Sequence, residues 1–379
     1  MKKGNDLRVF IFGQRNNLGG GTHFAGFTDA MKLIDGFGKR VVEVTATGKR
    51  VDSIVHEINA DDVSVFFFPT LSEKFVKGTI IKWGIFESDH LPDPYLDYLC
   101  RSHQIWVPSS WAKKILLAHK VDEKKIKIVH EGVDPLIFHP FVRSQQSADG
   151  VFRFLMCGKN EARKGLEELL HGFDLAFQND PLVELHLKAD YFWGTPANVE
   201  RKKNELIKTI KSRGLRNVKP LFGKFSVSEM GILYRNFDAM VFPSKAEGWG
   251  LPLIEGIACG LPTISTFYSG HTEFLSSIKN GFVELEHGIH PIDCPEFQSH
   301  WGSGGNWAVV SPGEIAKKLT YLKKNYTEYC AKALESSAII RRDFAWRCAA
   351  EQAVSLITDL KSLRLSNIFD SNLDFSQTS

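Results

Sequence analysis

The sequence predicts an α/β protein of two domains, each a parallel sheet wrapped by helices on both faces. Three observations carry this. At 379 residues the chain is long enough for two hydrophobic cores. Short apolar runs alternate with helical segments along most of its length, which is the pattern of βα units. Between the halves lies PFVRSQQSADG, residues 140–150, a polar stretch rich in serine and glutamine that ends in glycine and reads as a linker and hinge. The expected division is an N-terminal domain over 1–140, a linker over 141–150, a C-terminal domain over 151–343, a final helix over 344–363 and a loosely held tail over 364–379.

Composition narrows the class. Hydrophobic residues make up 43% and charged residues 24%, ordinary values for a globular protein. Aromatic residues reach 12%, with 28 Phe, enough to fill two cores. A net charge of +3 is too small for wholesale polyanion binding, so no nucleic-acid partner is expected and any basic patch must be local. The six cysteines form no CxxC pair and no metal-ligand spacing; reduced thiols, and with them a cytoplasmic setting, are expected. The apolar part of MKKGNDLRVFIFG is too short for a signal peptide, and no apolar run approaches the roughly 20 residues of a membrane span.

In the N-terminal half, the first strand runs from Leu7 to Phe12 and feeds Gly13 and QRNNLGGGTH. Gly19, Gly20 and Gly21 are expected in a strand-to-helix turn, with the helix from Thr22 to Leu33. Such a turn can cradle phosphate, but it lacks the GxGxxG spacing and acidic partner of a dinucleotide site. Strands follow at 41–46, 63–69 and TIIKWGIFES, 79–88. HQIWVPSSWAKKILLAHK reads as strand, turn capped by Ser109 or Ser110, and helix opened by Trp111. IKIVHEGVD closes this half. Lys113, Lys114, Lys120, Lys124, Lys125 and Lys127 form a basic face interleaved with Trp111, Leu116 and Leu117. It reads either as a solvated helix or as a contact with an anionic membrane surface, at about 1 kcal/mol per basic residue.

The C-terminal half opens with VFRFLMCGKNEARKGLEELLHGFDLAF. A buried strand ends at Gly158, and Lys159, Arg163 and Lys164 cluster before an amphipathic helix carrying Leu166, Leu169, Leu170, Phe173 and Phe177. Cations at the C-terminal end of a strand in such a sheet stand where a phosphate clamp is usual. The strand at 183–190 and a polar helix closed by Gly214 come next. VKPLFGK then leads through Gly223 and Lys224 into a helix capped by Ser226 or Ser228. The most informative stretch is VFPSKAEGWGLPLIEGIACGLPTISTFYSGHTE, 241–273. It reads as strand, loop with Gly248 and Gly250, helix with Pro252 in its first turn, Gly260 as terminator, then strand. The glycines let backbone approach a ligand, and the helix start offers free N–H groups suited to phosphate. Glu247 and Glu255 bracket it, roughly two turns apart, a spacing that fits the two ends of an elongated diphosphate-linked sugar. Residues 290–312 look long and irregular, functional or mobile, with His290 and His300 at no metal-ligand spacing. The C-terminus is helical.

PSKAEGWGLPLIEGIACGLPTI resembles the signature of the retaining GT-B glycosyltransferases, glycosyltransferase family 4, and the likeness recurs more weakly from about residue 80 to 360. IWVPSSW with KIKIVHEGVDPLIFHP resembles the end of the family's N-terminal domain, where VPNGVD is more usual. Lys164-Gly165 matches the family's KG. Lys159 stands where Arg is commonest, so the second cation is Lys159 or Arg163, and the two types are not equivalent on a phosphate. SGHTE resembles the GGLPE turn, with Ser269 in place of a glycine and Glu273 kept. Where many members carry a cleft His, this chain offers Glu87, Asp89 and His90; Glu87 is assigned to the cleft, with a helix-capping carboxylate as the plain alternative.

The resemblance implies two Rossmann-like domains facing across a cleft, with the last helix, FAWRCAAE, crossing back onto the N-terminal domain. It implies transfer of a hexose, mannose slightly favoured by FESDHLP and IWVPSSW, from a nucleoside-diphosphate sugar to a hydroxyl of a glycan or lipid-linked acceptor. No metal or other cofactor is expected. Lys164 with Lys159 or Arg163 would hold the leaving diphosphate, helped by backbone N–H groups at Gly248, Trp249, Gly250 and Leu251. Glu247 would hold the sugar and Glu255 the ribose. Gly20 and Gly21 would face the cleft, and Gly223 with Lys224 would lie beside the base. A sugar-nucleotide epimerase or hydrolase and a non-catalytic binding relative are the alternatives. The expected setting is cytoplasmic, at most peripheral to the inner face of a membrane.

Overall fold

The computed structural model describes residues 7–16, 18–45, 54–69, 71–140, 149–192 and 194–373; most of the expected linker and the last six residues of the expected tail lie outside these. The first half runs β1 (Val9–Gly13), α1 (Gly19–Lys32), β2 (Val41–Thr45), β3 (Val63–Phe66), β4 (Thr79–Trp83), α2 (Asp93–Cys100), β5 (Gln104–Val107), α3 (Ser110–Ala118) and β6 (Ile126–Ile128). Its six strands pair in parallel in the order β2-β1-β3-β4-β5-β6.

The second half runs β7 (Phe152–Lys159), α4 (Leu166–Phe177), β8 (Val183–Asp190), α5 (Pro196–Ser212), β9 (Val218–Leu221), α6 (Val227–Tyr234), β10 (Ala239–Phe242), α7 (Leu251–Ala258), β11 (Thr263–Thr266), α8 (Thr272–Leu275) and β12 (Val283–Leu285). These strands are also parallel, in the order β12-β11-β10-β7-β8-β9, the doubly wound Rossmann arrangement. An antiparallel hairpin of β13 (Gly288–Pro291) and β14 (Asn306–Val309) encloses α9 (Pro295–Trp301), and three helices end the chain: α10 (Pro312–Lys324), α11 (Tyr326–Asp343) and α12 (Trp346–Leu373).

Strands covered on both faces must be apolar or small throughout. β1, β3, β10 and β11 are buried at every position. Helices need only one apolar stripe: α4 buries Leu166, Leu169, Leu170 and Phe173, spaced for one helical face. A single apolar cluster joins the halves, including Trp83 and Trp106 from the first sheet and Tyr234, Trp249 and Ile254 from the helices and loop of the second half. α12 starts where the backbone at Phe344–Trp346 pairs with Val133 (Val133 N–H to Phe344 O 2.9 Å; Trp346 N–H to Val133 O 3.2 Å), and it lies along α1.

Several expectations need correction. Gly19, Gly20 and Gly21 are the first turn of α1, not a loop before it, because the Thr22 N–H already bonds the Leu18 carbonyl at 2.8 Å. Residues 290–312 are not irregular. They build the hairpin and α9, whose apolar residues Ile292, Phe297 and Trp307 bury against Ala246 and Tyr268. Interrupting glycines hide that pattern from a periodicity reading. Residues 364–373 continue α12. The basic face also loses its apolar partners. Leu116 is core, and Trp111 packs against Phe86 and Tyr268 (ring centroids 5.9 and 6.1 Å). Of the three, only Leu117 is exposed, and Lys113 pairs with Glu123 at 2.8 Å.

Candidate active site

In a doubly wound sheet, ligands bind beyond the strand C-termini where the strand order reverses. The first sheet reverses between β1 and β3, the second between β7 and β10. Both reversal points open on one cavity of about 660 Å³ between the halves. Gly19 and Gly20 reach it after β1, Phe67 and Phe68 after β3, Lys159 at the end of β7 with Glu161 to Lys164 beyond it, and Glu247 to Leu251 after β10.

At the second reversal point the charges converge. Glu247, only 4% exposed, accepts hydrogen bonds from Lys164 Nζ through one carboxylate oxygen and from Arg163 Nη1 through the other, the latter at 3.1 Å. Ser244 Oγ adds a third at 2.5 Å. Arg163 also reaches Glu87 Oε1 at 2.9 Å and Glu161 Oε2 at 3.0 Å. Lys159 is less buried, 3.7 Å from Glu161, and lines the cavity. Burial alone would raise the Glu247 carboxyl, but Lys164 and Arg163 outweigh it and hold the group at about 2, an ionised carboxylate. Burial and the adjacent Arg163 pull the Lys164 ammonium down from its ordinary value. Glu87 is pushed up, chiefly by burial, against the pull of Arg163.

The backbone makes this convergence fit. Gly165 takes φ +67°, and a Cβ there would stand 2.3 Å from the Pro243 carbonyl, so only glycine lets Lys164 turn onto the β10 loop. A Cβ on Gly248 would meet Ile85 of the first half at 2.4 Å. Ser269 adopts a left-handed φ of +66°, which explains why glycine serves at that place. Its hydroxyl repays the strain locally, accepting the Glu247 N–H at 2.8 Å and donating to the Tyr268 carbonyl at 2.6 Å.

The other expected residues are spread around the same cavity. Glu255 lies on α7, 8% exposed, and accepts a hydrogen bond from Tyr234 Oη at 2.9 Å; burial raises its carboxyl to about 8. Gly223 and Lys224 line the cavity, with the Gly223 N–H on Asp190 Oδ1 at 3.0 Å and its carbonyl accepting from Lys188 at 2.8 Å. Gly250 precedes α7 with φ +100°; in the first turn of that helix Pro252 has no N–H and the Leu253 N–H bonds the Gly250 carbonyl at 2.9 Å, so the Leu251 N–H is the one in that turn without an intrahelical acceptor. One residue differs from the expected part. Gly21 is not among the lining residues and packs on Asn16. Trp249 lines the cavity while its indole, only 2% exposed, stacks on His130 (ring centroids 5.6 Å) and meets Phe274 edge-on (5.2 Å), which anchors the loop whose backbone is expected at the ligand.

Contacts between the halves surround the site. Glu273 accepts from the Ser110 N–H at the start of α3 (2.7 Å) and bonds His130 Nε2 (3.2 Å); these contacts outweigh burial and lower its carboxyl. The hairpin reaches back to the first half, with Asn306 donating to Asp89 (2.6 and 3.0 Å) and Trp307 Nε1 donating to the Glu87 carbonyl (2.9 Å). The sequence reading missed Glu131, Ser244, Tyr234 and this hairpin as parts of the site. Only Glu131 carried a signal, as the acid in VHEGVD where VPNGVD is usual.

Residues 140–288 match the family described as "Glycosyl transferases group 1", a span that holds the cation cluster, Glu247 and α7. The D-inositol 3-phosphate glycosyltransferase of Pseudarthrobacter chlorophenolicus is 27% identical over 190 residues, 49% of this chain and 44% of that protein. The mannosylfructose-phosphate synthase of Agrobacterium fabrum is 27% identical over 158 residues, 39% of this chain and 34% of that protein. The chain thus spans less than half the length of these curated relatives. Among solved structures, Anabaena HepE in complex with UDP and glucose superposes with a TM-score of 0.67 at 14% identity, covering 93% of this chain and 100% of that one. Sucrose-phosphate synthase from Thermosynechococcus elongatus does so with a TM-score of 0.67 at 13% identity, covering 94% and 100%. The chain therefore has the GT-B fold, and its residues 140–288 carry a glycosyltransferase group 1 domain.

Proposed function

We propose that this protein is a retaining glycosyltransferase of family 4 that moves a hexose from a nucleoside-diphosphate sugar to an acceptor hydroxyl without a metal ion. One observation carries the reading: Arg163 and Lys164 converge on Glu247 immediately before the start of α7, at the sheet's reversal point. Cations and a helix start together suit a diphosphate. As the sugar–oxygen bond breaks, charge builds on the departing diphosphate, and preorganised donors there stabilise it more in the transition state than in the ground state. This is the part a divalent metal plays in other sugar-transfer sites. Arg163, buried on Glu247, takes the second-cation role ahead of Lys159, with Lys159 as a further positive charge at the cavity wall. Glu247, kept ionised, accepts from sugar hydroxyls; Glu255 on α7 accepts from or donates to the ribose. The acceptor enters from the N-terminal half, and its hydroxyl proton passes to the departing phosphate on the same face.

A glycan or lipid-linked acceptor and a cytoplasmic setting belong to the same proposal. No helix among the described residues is long and apolar enough to cross a membrane. The donor is read as a hexose nucleotide, GDP-mannose or a UDP-sugar. HepE, of the same fold, was solved with UDP and glucose, and a matched relative is named for mannosylfructose phosphate. A thermal-shift panel of GDP, UDP, ADP and their sugars, each with and without EDTA, tests this. Ligand at 100 times its dissociation constant stabilises by about 2.7 kcal/mol. A shift with one nucleotide, unchanged by EDTA, followed by acceptor-dependent release of that nucleotide, is the expected result. Release without acceptor would point to a hydrolase or epimerase, and binding without any turnover to a non-catalytic relative.

A further inference from the structure

The N-terminal wall of the cavity holds a carboxyl that the cation cluster does not use. Glu131, just after β6, is 3% exposed and lines the cavity. No Lys or Arg pairs with it among the described residues. Its basic neighbour is His23, whose Nδ1 lies 3.7 Å away, too far for a hydrogen bond. His23 is completely buried, edge-on to Phe67 and Trp83 (4.7 and 4.3 Å), and both its ring nitrogens lack hydrogen-bond partners. Burial lowers it to about 3, so the ring is neutral and supplies no counter-charge. Trp83, also a lining residue, carries a buried Nε1 with no partner. A carboxyl thus meets the cavity with nothing in the protein to bond, and a tryptophan of the same wall keeps a buried N–H without a partner. Unsatisfied buried polar groups cost stability, and each calls for an explanation.

We propose that Glu131 is the N-terminal half's hydroxyl-binding group, gripping a hydroxyl of the donor's sugar while Glu247 grips the same sugar from the C-terminal half. This rests on the function proposed above. A pyranose offers several hydroxyls that both donate and accept, and a carboxyl answers either way according to its proton. Glu131 lies within electrostatic reach of Glu247 and Glu87; burial, reinforced by those two negative charges, holds it well above the usual carboxylate range. It therefore meets the sugar as a neutral acid that donates through its hydroxyl and accepts through its carbonyl oxygen. The groups facing it that could alter this with pH are His23, Glu87 and Glu247.

Wild type, Glu131→Gln and Glu131→Leu would be titrated calorimetrically with UDP, GDP, UDP-glucose and GDP-mannose, and each would be melted without ligand. The readout is the ratio of sugar-nucleotide to bare-nucleotide affinity. Glu131→Leu is expected to bind the bare nucleotide as wild type does and to lose roughly tenfold of the sugar-dependent gain. Glu131→Gln, which keeps a donor and an acceptor, should stay within about threefold of wild type. The unliganded Leu variant should melt at or above the wild-type temperature, since an unpaired buried carboxyl has gone. An unchanged ratio in Glu131→Leu overturns the proposal. So does a lower melting temperature with bare-nucleotide affinity falling in step, which is the mark of a structural role. If wild type binds neither UDP nor GDP, the donor-site reading itself fails and this inference goes with it, so the two failures are told apart.

Discussion

Glu247 is at once a candidate ligand-binding group and the counter-ion of two buried cations. Replacing it by alanine leaves Lys164 and Arg163 buried without their shared anion, a change that costs about 3 to 5 kcal/mol. Transfer should fall at least ~100-fold, as for loss of a preorganised transition-state contact. A denaturant melt beside a nucleotide-release assay checks both, and intact transfer would refute the site. Glu255 gives a second prediction. Its folded carboxyl titrates near 8, above its unfolded value, so the folded state binds the proton more tightly. Stability from this group is complete below pH 4.5 and is lost as pH rises toward 8. The Gln variant should flatten that slope and be more stable than wild type at pH 8.5, by an order of a few kcal/mol; melting temperatures between pH 5 and 9 measure it. The residues that were legible in the sequence, Lys164, Glu247, Glu255 and Gly250, sit within short motifs whose spacing expresses their geometry. Tyr234 was not, because it lies on a different helix from its partner Glu255, and Ser244 was not, because only the loop conformation turns its hydroxyl onto Glu247 three residues on.

At the scale of elements, the parallel strands were readable because they are continuous apolar runs, and the helices because of their stripes. The hairpin β13–β14 was not. Its buried residues are carried on a glycine-rich backbone, and its hydrogen bonds go to Asp89 and Glu87, more than two hundred positions away in sequence. The start of α1 was misread for a related reason, since three glycines in a row signal a loop unless the Leu18–Thr22 bond is seen. The hairpin's hold on the first half makes a prediction. Asp89→Ala removes two charge-assisted bonds to Asn306, together about 2 to 3 kcal/mol. Amide exchange across residues 304–309 should then accelerate by about tenfold or more, while exchange in β7 and β8 stays as it was. Uniform acceleration would mean the hairpin is held by the core and not by this contact.

For the molecule as a whole, two sheets and their relation were implied by length, alternation and motif, but the apolar cluster that makes them one body was not. It forms where Trp249, Phe344 and His130 meet, and where Trp346 faces His23 at 5.7 Å. Because the cluster is shared, calorimetric unfolding should follow one transition, and Trp346→Ala should lower it by about 3 to 5 kcal/mol; two separate transitions would contradict a common core. The cavity floor has a different consequence. Glu87, Glu161 and Glu247 already answer the positive charges of Lys159, Arg163 and Lys164 before any ligand arrives. A diphosphate entering there adds negative charge to a patch that has no surplus positive charge to offer. Glu87, which burial already inclines toward its protonated form, is placed to absorb the imbalance. Binding should then draw protons from solution. The heat of nucleotide binding measured in Tris and in phosphate, at one pH, should differ in proportion to the ionisation enthalpies of the two buffers.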